Sequence, residues 1–277
     1  MGVQAETVKS PACSACTASC TSQLVRLGIG TTGWDYVIAL AGNPNTGKST
    51  LFNVLTGLRQ HVGNWPGKTV VRAEGSFRFN GRNYKVVDLP GTYSLLSASS
   101  DEEVARDFVL FGRPDVTVVV ADATRLERNL GLVLQVLEIT DRAVVALNLM
   151  DEAARHGLRV DSRSLARDLG VPVVPMAARR GEGVADLLGS IEEVATGTYA
   201  TRPRRVDLRD PVLESAVQTL AAEVDRAFPG LPNARWVALR LLEGDESIAR
   251  AVREGTLGEL TRNGPSLPDK LMALEGR

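Results

Sequence analysis

The sequence predicts an α/β protein: a mostly parallel sheet with one antiparallel edge strand and helices on both faces, followed by a small all-helical domain. Three observations carry this. Over residues 34–197, short apolar runs of strand length alternate with helical stretches, the pattern of a parallel sheet with crossover helices. Asn80-Gly81 lies between strand-like residues 70–79 and 82–87, a hairpin signal that supplies the antiparallel edge. Beyond Gly197 the strand-like runs stop and apolar residues recur at helical spacing. The 277 residues leave room for one α/β domain and a smaller partner. We place the boundaries at 1–33 (a flexible, Cys-containing tail), 34–197 (the α/β domain) and 198–277 (the helical domain), with Arg202-Pro203-Arg204-Arg205 as linker.

The first strand is the apolar Tyr36-Val37-Ile38-Ala39-Leu40-Ala41, and a helix starts near Leu51-Phe52-Asn53. Between them runs Gly42-Asn43-Pro44-Asn45-Thr46-Gly47-Lys48-Ser49-Thr50. Strand, Gly-x4-Gly-Lys-Ser, helix is a phosphate-binding loop. Gly42 and Gly47 let the backbone curl so that amides point at phosphate oxygens. Lys48 brings a positive charge to the terminal phosphates, the Ser49 hydroxyl is suited to Mg2+, and the helix N-terminus adds its partial charge.

Residues 57–69 show no periodicity, and Gly63-Asn64-Trp65-Pro66-Gly67-Lys68-Thr69 reads as a mobile first switch. Thr69 is the candidate to complete the Mg2+ shell, with Gly67 and Lys68 beside the nucleotide. The hairpin's second strand ends in Asp88-Leu89-Pro90-Gly91. Asp88 is placed to hold a water on Mg2+, and the Gly91 amide to meet a γ-phosphate present in GTP and absent from GDP, which makes the following segment a second switch. Asp101-Glu102-Glu103 opens a helix ending near Gly112, with acids favourably placed in its first turn. The run Val116-Thr117-Val118-Val119-Val120-Ala121 is a strand, too short to cross a bilayer.

The next strand, Ala143-Val144-Val145-Ala146-Leu147, leads into Asn148-Leu149-Met150-Asp151. The Asp151 carboxylate accepts from both ring N–H and exocyclic amine of guanine, whereas adenine leaves it unpaired. Asn148 braces this segment against the phosphate loop. A last strand, Val171-Pro172-Val173-Val174-Pro175, precedes Met176-Ala177-Ala178, where an amide near Ala178 is expected to donate to guanine O6. In the helical part, Asp210-Pro211 starts a capped helix that carries Leu213, Val217, Leu220, Val224 and Phe228 on one face. A second helix offers Trp236, Leu239 and Leu242 to the core, and a third begins near Asp245 with Ile248 and Val252.

In this order the motifs predict a P-loop GTPase fold. Their wording resembles one family, ferrous-iron transport protein B (FeoB). Residues 42–48, 62–70, 88–95, Arg113-Pro114-Asp115-Val116 and the run from Val120 through Leu126-Glu127-Arg128-Asn129-Leu130 carry the resemblance, which covers 34–197. It implies a cytoplasmic domain at the inner face of a bacterial membrane, a helical domain that stabilises GDP binding, and a polytopic permease for Fe(II), in cis or in trans. It also implies small accessory Feo proteins and admits a homo-oligomer. Thr92 stands where Ras-like proteins carry a water-orienting Gln, so turnover is expected to be slow. The resemblance further implies K+ at Asn45, making Lys48, Asn45, Thr69 and Gly91 the catalytic set.

Composition agrees. Hydrophobic residues are 44% and charged residues 23% of the chain, ordinary for a globular protein. A net charge of −1 gives no electrostatic case for nucleic acid or an anionic membrane as main ligand. The N-terminus lacks a basic-then-apolar signal pattern, so a cytoplasmic location is expected. The tail holds all three cysteines, Cys13, Cys16 and Cys20; they read either as reduced thiols in a disordered tail or as three ligands of a metal or iron–sulfur centre. A rival functional reading is a standalone regulatory or ribosome-associated GTPase without a transport role. Such factors usually carry a basic RNA-binding domain, and the C-terminal segment here mixes acids with its arginines.

Overall fold

Alternation along a doubly covered strand decides the layers. In β1 (Tyr36–Gly42), Ile38 and Leu40 enter one core while Val37, Ala39 and Ala41 enter the other, as a side-chain period of two requires. The structure, a computed structural model, describes residues 24–25, 27–66, 68–96, 99–205, 208–255 and 257. Its sheet has seven strands in the order β2-β3-β4-β1-β5-β6-β7, with β2 (Gln60–Asn64), β3 (Val71–Phe79), β4 (Arg82–Asp88), β5 (Val116–Asp122), β6 (Ala143–Asn148) and β7 (Val173–Pro175). β1 pairs in parallel with β4 and β5, β5 with β6, and β6 with β7.

Among the described strands β3 is the one reversed relative to the rest, antiparallel to both β2 and β4, and it turns into β4 through Asn80 and Gly81, both at positive φ. That backbone is the two-residue turn Asn-Gly favours. The reversed strand is not the edge, however. Residues 60–64, expected to be loop, form β2 and pair with β3 from Gln60↔Gly75 to Asn64↔Val71. Four of the five β2 residues are exposed, so the strand lacks apolar alternation and is held mainly by its backbone ladder.

Helices cover both faces. α1 (Lys48–Thr56) lies on the Ile38 side, as does α6 (Val184–Thr196), through Leu51, Phe52, Leu187 and Ile191. The other side receives α2 (Ser100–Asp107) with the π-helical turn Phe108–Gly112, α3 (Leu126–Ile139), α4 (Met150–Arg155) and α5 (Ser162–Leu169). Ser99 caps α2 by accepting from the Glu102 amide, ahead of three acids in the first turn.

The helical part comprises α7 (Pro211–Ala227), α8 (Ala234–Leu242) and α9 (Glu246–Arg253). Asp210 caps α7 and Pro211 fills its first position. Val217 and Val224 are buried, but Leu213 is 39% exposed. In α8 the buried residues are Trp236, Val237 and Ala238, while Leu242 is 46% exposed, so the buried stripe is rotated from the expected one. Asn233 joins the two parts. Its Nδ2 donates to the Glu138 and Ile139 carbonyls at the end of α3 (2.7 and 3.1 Å), and its Oδ1 accepts from the Trp236 amide (2.9 Å). Among the described residues no helix is long and apolar enough to cross a membrane.

Candidate nucleotide site

The phosphate loop, the Asp88 segment, Asn148 and the Met176–Ala178 segment all leave the carboxyl ends of parallel strands, where open α/β sheets bind ligands. The loop is closed from within: Thr46 Oγ1 donates to the Asn43 carbonyl at 2.9 Å. Asn45 (φ 66°) and Gly47 (φ 82°) are both left-handed. A Cβ at Gly47 would stand 2.3 Å from Asn148 Nδ2, so glycine is required for both reasons. Pro44 packs beside Gly91, and the Thr92 amide donates to the Gly42 carbonyl at 3.3 Å. The segment from Gly91, expected to be a second switch, therefore starts against the phosphate loop.

Asn148 is 1% exposed and ties the site together. Its Nδ2 donates to the Thr46 carbonyl and its Oδ1 accepts from the Ala178 amide, each at 2.9 Å. The amide expected to serve guanine O6 is thus engaged inside the protein. Met176 is buried and its backbone bonds Leu147 and Met150, and Ala177 is buried beside it. Asp151, at the start of α4, lies 3.5 Å from Arg180 Nε and 3.8 Å from Arg155 Nη2.

Lys48 is 9% exposed; its Nζ donates to Asp88 Oδ1 at 2.5 Å and to the Leu89 carbonyl at 2.7 Å. Burial pushes the Asp88 carboxyl above its ordinary range, with Lys48 opposing by charge and hydrogen bond. Ser49 and Thr50 are exposed at the start of α1, and Thr69 is exposed beyond β2. Lys68 reaches away to Glu103 at 2.5 Å. Gly67 and the three tail cysteines lie outside the described residues. Among the described residues no group of three or more His, Cys, Asp or Glu is gathered for a metal. The donor set does fit Mg2+, which takes one or two carboxylates plus substrate phosphates: Asp88 and the Ser49 hydroxyl border the loop.

A polar cleft of about 320 Å3 borders the loop, lined among others by Asn43 and Asn45 and by Tyr93, Asp122, Arg128 and Asn129, which sequence reasoning had not placed at the site. The Arg128 guanidinium lies over the Tyr93 ring, 4.4 Å from its centre, a cation–π contact between α3 and the segment after Gly91. The Leu126–Leu130 wording was the only signal.

Comparison with known proteins agrees with this geometry. A family model described as "Ferrous iron transport protein B" matches residues 36–191, and one described as "FeoB cytosolic helical domain" matches 210–268. The "Fe(2+) transporter FeoB" of Escherichia coli K12 is 43% identical over 212 residues, 75% of this chain and 27% of that protein. The chain thus spans about a quarter of the length of such curated relatives. Among solved structures, the cytosolic domain of Legionella pneumophila FeoB superposes with TM-score 0.72 at 35% identity, covering 82% of this chain and 89% of that one. The cytosolic domain of the T. maritima FeoB iron transporter in its GMPPNP form gives 0.70 at 36%, covering 85% and 89%.

Proposed function

This chain belongs to the ferrous iron transport protein B (FeoB) family, and from that premise we propose that it is a GTP-binding, slowly GTP-hydrolysing switch that regulates or drives Fe(II) uptake through a membrane permease domain. The observation that carries the reading is Asn148 bonding Thr46 and Ala178 at once, because it sets a phosphate loop and a base-reading segment in one frame. Asp151 reads guanine; the loose Arg155 and Arg180 pairs at 3.5–3.8 Å leave its carboxylate able to accept two donors. The residues Gly42 to Thr50 cradle the phosphates, and Lys48 exchanges Asp88 and Leu89 for phosphate oxygens. Gly67, Lys68 and Thr69 supply the first switch and Gly91 the second.

Ser49, Thr69 and Asp88 would hold Mg2+, which supplies charge neutralisation on the phosphates. Asn45 would hold K+; it is exposed and lines the polar cleft beside the loop, which supports access of a cation to it. Thr92 is buried and carries no base, which supports slow turnover. The domain division at 34–197 and 198–277, an assembly with accessory Feo proteins or further copies, and a place at the cytoplasmic face of the inner membrane complete the proposal; Leu24 and Ile29, expected in a flexible tail 1–33, are instead buried in the core of the α/β domain. A metal or iron–sulfur centre at Cys13, Cys16 and Cys20 is a separate proposal, tested by metal content after anaerobic reconstitution.

The test is GTP turnover in KCl against NaCl. Wild type should be faster in KCl, and Asn45→Ala should lose that difference while keeping slow basal turnover. An equal potassium response in the variant refutes the role of Asn45.

A further inference from the structure

Residues 24–25 and 27–30 lie outside the stretch matched by the family model, which begins at 36, yet they pack against the first-switch wording. Ile29 is fully buried and Leu24 is 4% exposed. A Cβ at Gly112 would meet Leu27 Cδ1 at 3.0 Å and Leu24 Cδ2 at 3.5 Å, so the segment packs on the π-helical turn. The Phe108 ring in that turn meets Trp65 edge-on, 5.4 Å between centres. Trp65 is 4% exposed and stands in the middle of the Gly63–Thr69 switch wording.

Arg72 on β3 joins these parts. Its Nη1 donates to the Leu27 carbonyl at 3.1 Å, its Nε pairs with Glu74 at 2.8 Å, and its guanidinium carbon lies 5.5 Å from the Trp65 ring centre. Glu74 also pairs with Lys85 at 2.5 Å, and Lys85 Nζ donates to the Gly30 carbonyl at 2.9 Å. Gly28 (φ 79°) closes the contact: a Cβ there would fall 2.6 Å from Arg72 Nη1 and 3.0 Å from Pro66 Cγ. One guanidinium therefore meets a backbone carbonyl, a carboxylate and an indole face at once, which its planar fork allows and an ammonium does not.

We propose that Arg72 is a positioning residue for the first switch, through which residues 27–30 hold Trp65 and so set the freedom of residues 62–65. Its consequence for nucleotide release rests on the proposed GTP switch; its effect on the switch backbone does not. Fixing Trp65 directly after Asn64 restrains β2, whose own side chains bury little.

The experiment is amide hydrogen exchange on the full chain, with GDP dissociation measured in parallel. Arg72→Met should speed exchange at residues 62–65 about tenfold, the low end of what a hydrogen bond from a charged donor is worth, with β1 and β5 unchanged. Arg72→Lys should behave like Arg72→Met, because lysine returns a positive charge beside Glu74 but not the planar fork that reaches Leu27 and Trp65 together. Gly28→Ala should give the same local loss with Arg72 intact. GDP dissociation should rise in all three. Unchanged exchange at 62–65 in both Arg72→Met and Gly28→Ala overturns the proposal, as does an equal acceleration throughout the sheet. Loosened exchange with unaltered GDP dissociation overturns its action on the nucleotide. Failure of wild type to bind GDP refutes the proposed function instead, while the exchange result still judges Arg72.

Discussion

Replacing Asn148 by alanine should unfold the protein at distinctly lower denaturant even without nucleotide. The side chain is 1% exposed and makes two hydrogen bonds of 2.9 Å, to the Thr46 carbonyl and from the Ala178 amide. Thr46 and Ala178 are themselves 2% and 1% exposed, so truncation strands one buried acceptor and one buried donor. Each such orphan costs about 1–3 kcal/mol, giving a loss of roughly 2–6 kcal/mol before water enters the gap. Against a total of about 5–15 kcal/mol for a typical domain, that is a large fraction. Asn148→Asp separates the two bonds: the acceptor for Ala178 survives, while a carboxylate now faces the Thr46 carbonyl. It should therefore also destabilise, through the phosphate-loop end alone. Urea unfolding of nucleotide-free protein is the assay, since it isolates bracing from contact with the base. Unfolding free energies for both variants that stay within about 0.5 kcal/mol of wild type, the range of ordinary surface changes, would refute the bracing argument.

Two further outcomes follow from other parts of the molecule. Burial raises the Asp115 carboxyl above its ordinary 3.8, opposed by the Val37 amide and by Arg142. A raised folded value means the native state holds the proton more tightly, so this group's contribution is complete below 3.8 and is lost as pH rises through the folded value. Asp115→Asn keeps an acceptor for Val37 and cannot ionise. Its stability relative to wild type should improve as pH rises through that window, and a difference independent of pH from 3 to 7 would contradict the sign. Asn233→Ala removes the bonds to Glu138 and Ile139 and the cap of α8. It should cost about 1–2 kcal/mol, the worth of a helix cap, and raise proteolysis of the helical part; unchanged cleavage would count against Asn233 as the joint.

The sequence disclosed the parts of the site that are local in the chain. The phosphate loop, Asp88 and the Asn80-Gly81 hairpin are set by a few adjacent residues whose backbone needs are written in their identities. What escaped was set by distant partners. Gln60 to Asn64 has no alternation because most of its side chains face water, so only its pairing with β3 reveals a strand. The Ala178 amide looked available because its partner, Asn148, is thirty residues away. Leu242 and Trp236 are both apolar on one helix, and the docking of α8 against α3 through Asn233 turns Trp236 inward and leaves Leu242 at the surface. The Arg72–Glu74–Lys85 network joins two strands to the segment before β1, a contact no periodicity announces.

Phosphate release with Mg2+ and KCl, from GTP and from ATP, by wild type and Lys48→Ala tests the central claim most directly. Slow, saturable release from GTP only, abolished in the variant that loses the ammonium now held by Asp88 and Leu89, is the predicted result. Equal release from ATP, or release from GTP that survives loss of Lys48, would contradict it.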